Sequence, residues 1–129
     1  FLGLDRVSGD DSSTETAEGF SKEFGARHKH HGFYDYTDHK KYFGHGHDGL
    51  NEINAKANID ILKRTNLLVA LHNFRSAVKD IYYGSEVNFI FKTKHNDEVS
   101  SEIGSVFYFP DQGNEKTLPF FYLMITADF

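Results

Sequence analysis

LNEINAKANIDILKRTN, Leu50 to Asn66, is the stretch on which the fold turns. Leu50, Ile53, Ala57 and Ile61, with Leu62 alongside, recur at spacings of three and four, the signature of one apolar stripe on a helix. Asp48 stands where a carboxylate can accept from a free first-turn N–H, as an N-cap does. Lys63 and Arg64 come near the end, where cations suit the helix dipole. The spacing therefore predicts a long helix.

Downstream the period changes. LLVAL, residues 67–71, fits either an extension of the helix or the start of a strand. HNFRSAVKDIYYG reads as extended and ends in a turn at Gly84-Ser85. EVNFIFKTK alternates, with Val87, Phe89, Phe91 and Thr93 on one side and Glu86, Asn88, Ile90, Lys92 and Lys94 on the other. HNDE, 95–98, is a turn. EIGSVFYF, 102–109, is a further strand, and PDQGNEK, 110–116, is a hairpin loop. TLPFFYLMITADF supplies the last strand, with Pro119 marking an edge or a bulge. Short turns imply antiparallel neighbours. The expected fold class is α+β: one long helix packed on a four- to five-stranded antiparallel sheet, preceded by an extended arm.

That arm, residues 1–49, is rich in Ser, Thr, Asp, Glu, Gly and His and has few aliphatics after Leu4 and Val7. It cannot offset its own ordering entropy alone. Residues 50–129 read as the compact domain. Six of the eight histidines lie between His28 and His47. His28, His30, His31, His39, His45 and His47 are the candidate metal ligands, for zinc or copper, because neutral imidazole is the commonest metal-binding side chain. A solvated tail and a self-assembly arm are the competing readings of the same tract. The aromatics Phe33, Tyr34, Tyr36, Tyr42 and Phe43 suit contacts, either with a partner or with the domain's own sheet.

Composition excludes several classes. The chain has 129 residues, a formal charge of −5 and no basic stripe, which argues against nucleic acid. There is no cysteine, so disulfides, thiol catalysis and Cys-based zinc sites are ruled out. No run of about 18 apolar residues marks a spanning helix, which gives an expectation of no membrane span. The chain begins at Phe1, and we expect a secreted protein whose signal peptide has been removed, with a cytoplasmic protein as the alternative, since zero cysteine also fits a reducing compartment. His72, Ser76 and Asp80 can be drawn as a triad on paper, but their spacing supports no nucleophile elbow, and the expectation is a protein that is not an enzyme.

The order helix then strands resembles the cystatin superfamily, particularly the cysteine-free stefins. Arg64-Thr65-Asn66 is similar to the stefin helix end. Fourteen residues separate Asn66 from Ile81-Tyr82-Tyr83-Gly84, at the place of the family's Gln-x-Val-x-Gly hairpin. SVFYFPDQGNEKTLPFFYL looks like the second hairpin. The resemblance covers residues 46–127 and implies inhibition of papain-type cysteine proteases by a wedge of loops. Carried over, the partner-binding residues would be Gly46 and Gly49, then Asp80, Ile81, Tyr82, Tyr83 and Gly84, then Pro110, Asp111, Gln112 and Gly113. Asp80 and Tyr82 stand where the family has Gln and Val. The leading expectation is this protein-binding role, and the alternative is a structural protein that forms homo-oligomers through its histidine- and aromatic-rich arm.

Overall fold

The computed structural model describes residues 1–10, 13–16, 19, 31–34, 48–79, 81–111 and 116–128. They form one six-stranded sheet: β1 (Leu2–Val7), β2 (Leu50–Leu62), β3 (Thr65–Arg75), β4 (Tyr82–Lys94), β5 (Val99–Pro110) and β6 (Leu118–Ala127). Spatial order equals sequence order, and every neighbouring pair is antiparallel. Among the described residues there is no helix.

The α+β expectation, with its helix across a roll, is thus overturned. Residues 50–62 are β2, and the turn at Lys63-Arg64 leads directly into β3. The physical reason lies in a second period hidden beneath the first. Glu52, Asn54, Lys56, Asn58 and Asp60 alternate strictly with Ile53, Ala55, Ala57, Ile59 and Ile61. The stripe at 50, 53, 57 and 61 samples only part of that apolar set. Isoleucine's stiff, β-branched side chain favours the pleated alternative. LLVAL is strand, within β3. The turn expected at Gly84-Ser85 is instead the loop at 76–81, and Gly84 sits inside β4.

At Gly84 the strand is distorted. Its φ is +147°, and the ladder slips a residue where Phe74 faces Gly84 but Arg75 faces Tyr82. A Cβ here would come within 2.5 Å of the Tyr108 hydroxyl oxygen, so only glycine fits.

The connections differ at the two ends of the sheet. At one end β2–β3 and β4–β5 are joined by tight turns, at Lys63-Arg64 and at His95 to Glu98. At the other end the links are longer: residues 8–49, 76–81 and 111–117. The tight end is held by Arg64 donating to the His95 carbonyl at 2.9 Å and by Asn96, whose side chain accepts from the Glu98 and Val99 amides.

The two faces are chemically opposite. One carries Leu50, Glu52, Asn54, Ala70, His72, Phe74, Glu86, Asn88, Ile90, Val106 and Tyr108, all buried. The other carries Ile53, Ile59, Leu71, Phe89, Phe91, Ile103, Phe121, Leu123 and Ile125, all exposed, with Leu123 at 66% and Ile125 at 67%. Outward positions of β2 to β6 hold one charged residue, Arg75, at the long-loop end, where its guanidinium lies 5.8 Å from the Tyr82 ring centroid. An ordinary half-buried sheet turns its apolar face in and its polar face out. Here the outward face is largely apolar, and the inward face mixes an apolar core with buried Glu, His and Asn.

Candidate functional site

The inward face is built as cross-strand rows. Asn54, His72, Glu86 and Tyr108 stand opposite one another on β2, β3, β4 and β5. Lys56, Ala70, Asn88 and Val106 form the next row. The period of two along each strand places these polar side chains together on one face.

Glu52 is the hub. Its Oε1 lies 2.6 Å from His72 Nδ1 and its Oε2 lies 2.7 Å from His31 Nδ1. Asn54 Nδ2 donates to Glu52 Oε1 at 3.2 Å and to Asp5 Oδ2 at 3.0 Å. Burial alone pushes the Glu52 carboxyl upward. The hydrogen bonds from His31 and His72, with the charge of the two rings, outweigh that and hold it at about 2. Glu52 is therefore a carboxylate at every ordinary pH.

Glu86 is the second acid. The Phe33 N–H donates to its Oε1 at 2.6 Å and the Tyr34 N–H to its Oε2 at 3.2 Å. Burial pushes this carboxyl up, and the amides of Phe33 and Tyr34, the Asn88 side chain and the charge of His72 only partly offset it. Two carboxyls on one face are thus driven in opposite directions: two imidazoles hold one ionised, while the other sits against neutral amides.

The short segment His31 to Tyr34 lies across this face. Gly32 makes the crossing with φ +82°, and a Cβ on it would fall within 2.7 Å of a Glu86 oxygen. The Tyr34 ring stacks on Tyr108 at 5.8 Å and meets Phe120 edge-on at 6.4 Å. Phe33 helps line a cavity with Phe120, Tyr122 and Met124. Towards the long-loop end the same face closes into a small apolar core of Leu50, Phe74 and Tyr108, flanked by Val7, Tyr34, Tyr83 and Leu118. Part of the arm therefore folds back on the sheet. Four buried side-chain atoms on this face, Asn54 Oδ1, His72 Nε2, Asn88 Nδ2 and Asn88 Oδ1, make no hydrogen bond of ordinary geometry among the described residues.

Of the expected metal ligands, His31 is described, and it bonds Glu52. His28, His30, His39, His45 and His47 lie outside the described residues. Among the described residues no group of three or more His, Asp or Glu side chains is arranged to hold a metal ion.

Of the expected partner-binding residues, Gly46, Asp80, Gln112 and Gly113 also lie outside the described residues. The others do come together at the long-loop end. Gly84 pairs with Pro110, the Asp111 N–H donates to the Tyr83 carbonyl at 3.3 Å, and the Tyr83 hydroxyl donates to the Gly49 carbonyl at 3.4 Å. They meet as sheet and core: Gly49 and Gly84 are buried, whereas Ile81 and Asp111 are exposed. The helix over which a cystatin wedge is built is absent among the described residues, its place taken by β2.

Sequence reasoning passed over Glu52, Asn54, Glu86 and Asn88 as site residues and weighed His72 only as a member of a triad drawn on paper. The available signal was the regular insertion of ionisable and amide side chains between apolar ones. No helix of the described residues is long and apolar enough to cross a membrane. No protein-family model, no curated protein and no solved structure matches this chain, and none links it to the cystatins.

Proposed function

We propose that the sheet is a wall of a membrane-spanning β-barrel, with its apolar face against lipid and its polar face towards the barrel interior. The observation that carries this reading is the contrast between the two faces. Across β2 to β6 the outward side chains are mostly apolar, with Ile53, Ile59, Leu71, Phe89, Phe91, Ile103, Phe121, Leu123 and Ile125 exposed, and the inward ones include buried Glu, His and Asn. A contiguous exposed apolar surface of this extent is foreign to a monomer in water. It is what lipid requires, because a spanning sheet alternates apolar-out with polar-in.

Three further features agree. The long strands run from 10 to 13 residues, and a tilted strand needs about 9–11 to cross a bilayer. The meander is wholly antiparallel, with tight turns at one end and longer connections at the other, an asymmetry that membrane barrels share. Arg6 and Arg75 flank Asn51 in one outward row near the long-loop end, a level suited to headgroups. The absence of a long apolar helix bears only on helical crossing; strands cross by alternation.

The test is flotation with phosphatidylcholine vesicles followed by protease. The reading predicts that the chain floats with lipid and that β2 to β6 survive digestion while the 76–81 loop is cut. A chain that stays in the aqueous fraction as a folded monomer contradicts it.

A further inference from the structure

Charge, too, is sorted between the two faces. The chain carries a formal −5. Along the strands its acids and lysines, Glu52, Lys56, Glu86, Lys92 and Glu102 among them, take the inward alternation. Among the described residues, outward strand positions hold two charged side chains, and both are arginines: Arg6 of β1 and Arg75 of β3. They stand on either side of Asn51, so they share one row. Strands lie about 4.8 Å apart, which sets the two Cα atoms about 10 Å apart, within the span of two long side chains leaning over one neutral residue.

Both arginines are exposed. The next outward row begins with Leu4 and Ile53, 82% and 57% exposed. Two guanidiniums thus stand at the rim of a bare apolar surface. Arg75 is steadied from one side. Its guanidinium carbon lies 5.8 Å from the Tyr82 ring centroid, and the Tyr82 and Ser85 hydroxyls share a hydrogen bond. Stacking uses the face of a guanidinium, whereas phosphate is gripped by its planar fork of N–H donors. Asn51 Nδ2 donates to the Ser76 carbonyl at 3.2 Å, so the residue between the arginines is anchored and neutral.

We propose that Arg6 and Arg75 clamp the phosphate of an anionic phospholipid headgroup, whose acyl chains run down over Leu4, Ile53 and the apolar rows below. This rests on the lipid-facing reading and names the lipid class that the wall selects. Two arginines in one row of an otherwise uncharged outward face attract an anion, and at the headgroup level of a bilayer that anion is a lipid phosphate. A choline headgroup is disfavoured, because its ammonium is repelled by the same pair. The net charge of −5 repels an anionic bilayer, so a preference for one reports this row and not the chain as a whole.

The experiment uses the full chain in vesicles mixed from phosphatidylcholine and phosphatidylglycerol. The chain has no tryptophan. Ile53→Trp places one reporter next to Asn51 on the same face, and Phe91→Trp places another near the tight-turn end. Bromine is carried on the acyl chains of one lipid at a time, and the ratio of quenching gives the relative affinity of the two lipids at each reporter. The expected result is phosphatidylglycerol favoured by about fivefold or more at position 53 and by less than about twofold at position 91. Arg6→Lys and Arg75→Lys should each erase most of the preference at 53, because an ammonium keeps the charge but lacks the fork. Lys63→Gln, at the tight-turn end, should leave it unchanged. A preference that survives in the lysine variants overturns the clamp, since charge alone then accounts for it. An equal preference at 53 and 91 overturns it as well. Loss of the preference on adding inorganic phosphate at constant ionic strength means that a soluble anion fills the pair, and it overturns the lipid assignment. Quenching at both positions with no lipid preference overturns the clamp and leaves the lipid-facing wall standing. No quenching at either position removes the wall and the clamp with it.

Discussion

His72 Nδ1 lies 2.6 Å from Glu52 Oε1, and both side chains are sealed from solvent on the inward face of the sheet. The pair spans β2 and β3 diagonally, because Glu52 faces Phe74 and His72 faces Asn54. A buried carboxylate so placed ties stability to pH.

Glu52 is held at about 2, below its usual 4.5. A depressed acid contributes stability that is present above its unfolded pKa and lost as pH falls through the folded one. The shift corresponds to about 3 kcal/mol, an order-of-magnitude figure. Urea unfolding of the parent should therefore show stability falling between about pH 4.5 and pH 2. Glu52→Gln should flatten that fall and also cost about 3 kcal/mol at pH 7, because His31 and His72 lose their partner. An unchanged acid limb in the variant would separate Glu52 from acid sensitivity.

Glu86 should carry the opposite sign. Its folded pKa is raised, chiefly by burial, so its contribution is fully present below 4.5 and is lost as pH rises through the folded value. Glu86→Gln should lose less stability than the parent on going from pH 4.5 to pH 7. A parallel loss in both proteins would contradict the assignment.

Gly32→Ala tests the seat of the arm. Alanine disfavours φ +82°, and its Cβ would press on the Glu86 carboxylate. We expect a cost of about 1–3 kcal/mol. Exchange of the Phe33 and Tyr34 amides should rise while β2 to β5 keep their protection. Unchanged exchange at those amides would mean that the Glu86 bonds do not hold the segment.

Outward and inward charges should differ in lipid. Phe89→Lys puts an ammonium mid-sheet on the outward face and should cost about 2–4 kcal/mol for the vesicle-inserted protein. Lys56→Gln, on the inward face, should change stability by less than about 0.5 kcal/mol. Equal costs would mean that the two faces meet the same environment.

Much of the sheet was readable in the chain. The alternation of EVNFIFKTK and the strand at 102–109 lie within observed strands, the last strand, read as 117–129, overlaps β6 at 118–127, and the short turn at 95–98 does join antiparallel neighbours. The misreading at 50–62 has a specific origin. Alanines at 55 and 57 weaken the period-two signal, while Leu50, Ile53, Ala57 and Ile61 also satisfy a helical one, so local pattern leaves both open. Register against β1 and β3 then selects the strand. The site was harder to see. Glu52 and Glu86 look like solvated strand residues until His31 and the amides of Phe33 and Tyr34, distant in sequence, are brought over them. The long-range return of the arm carries no local periodicity to read.

The chain contains no tryptophan, so a single one reports its surroundings without background. Phe89→Trp and Leu68→Trp place the probe on opposite faces near the middle of the sheet. Fluorescence in vesicles of brominated phosphatidylcholine, whose acyl chains quench on contact, tests the central claim directly. A lipid-facing wall predicts strong quenching at position 89 and weak quenching at position 68. Equal quenching at the two positions, or none at 89, would contradict it.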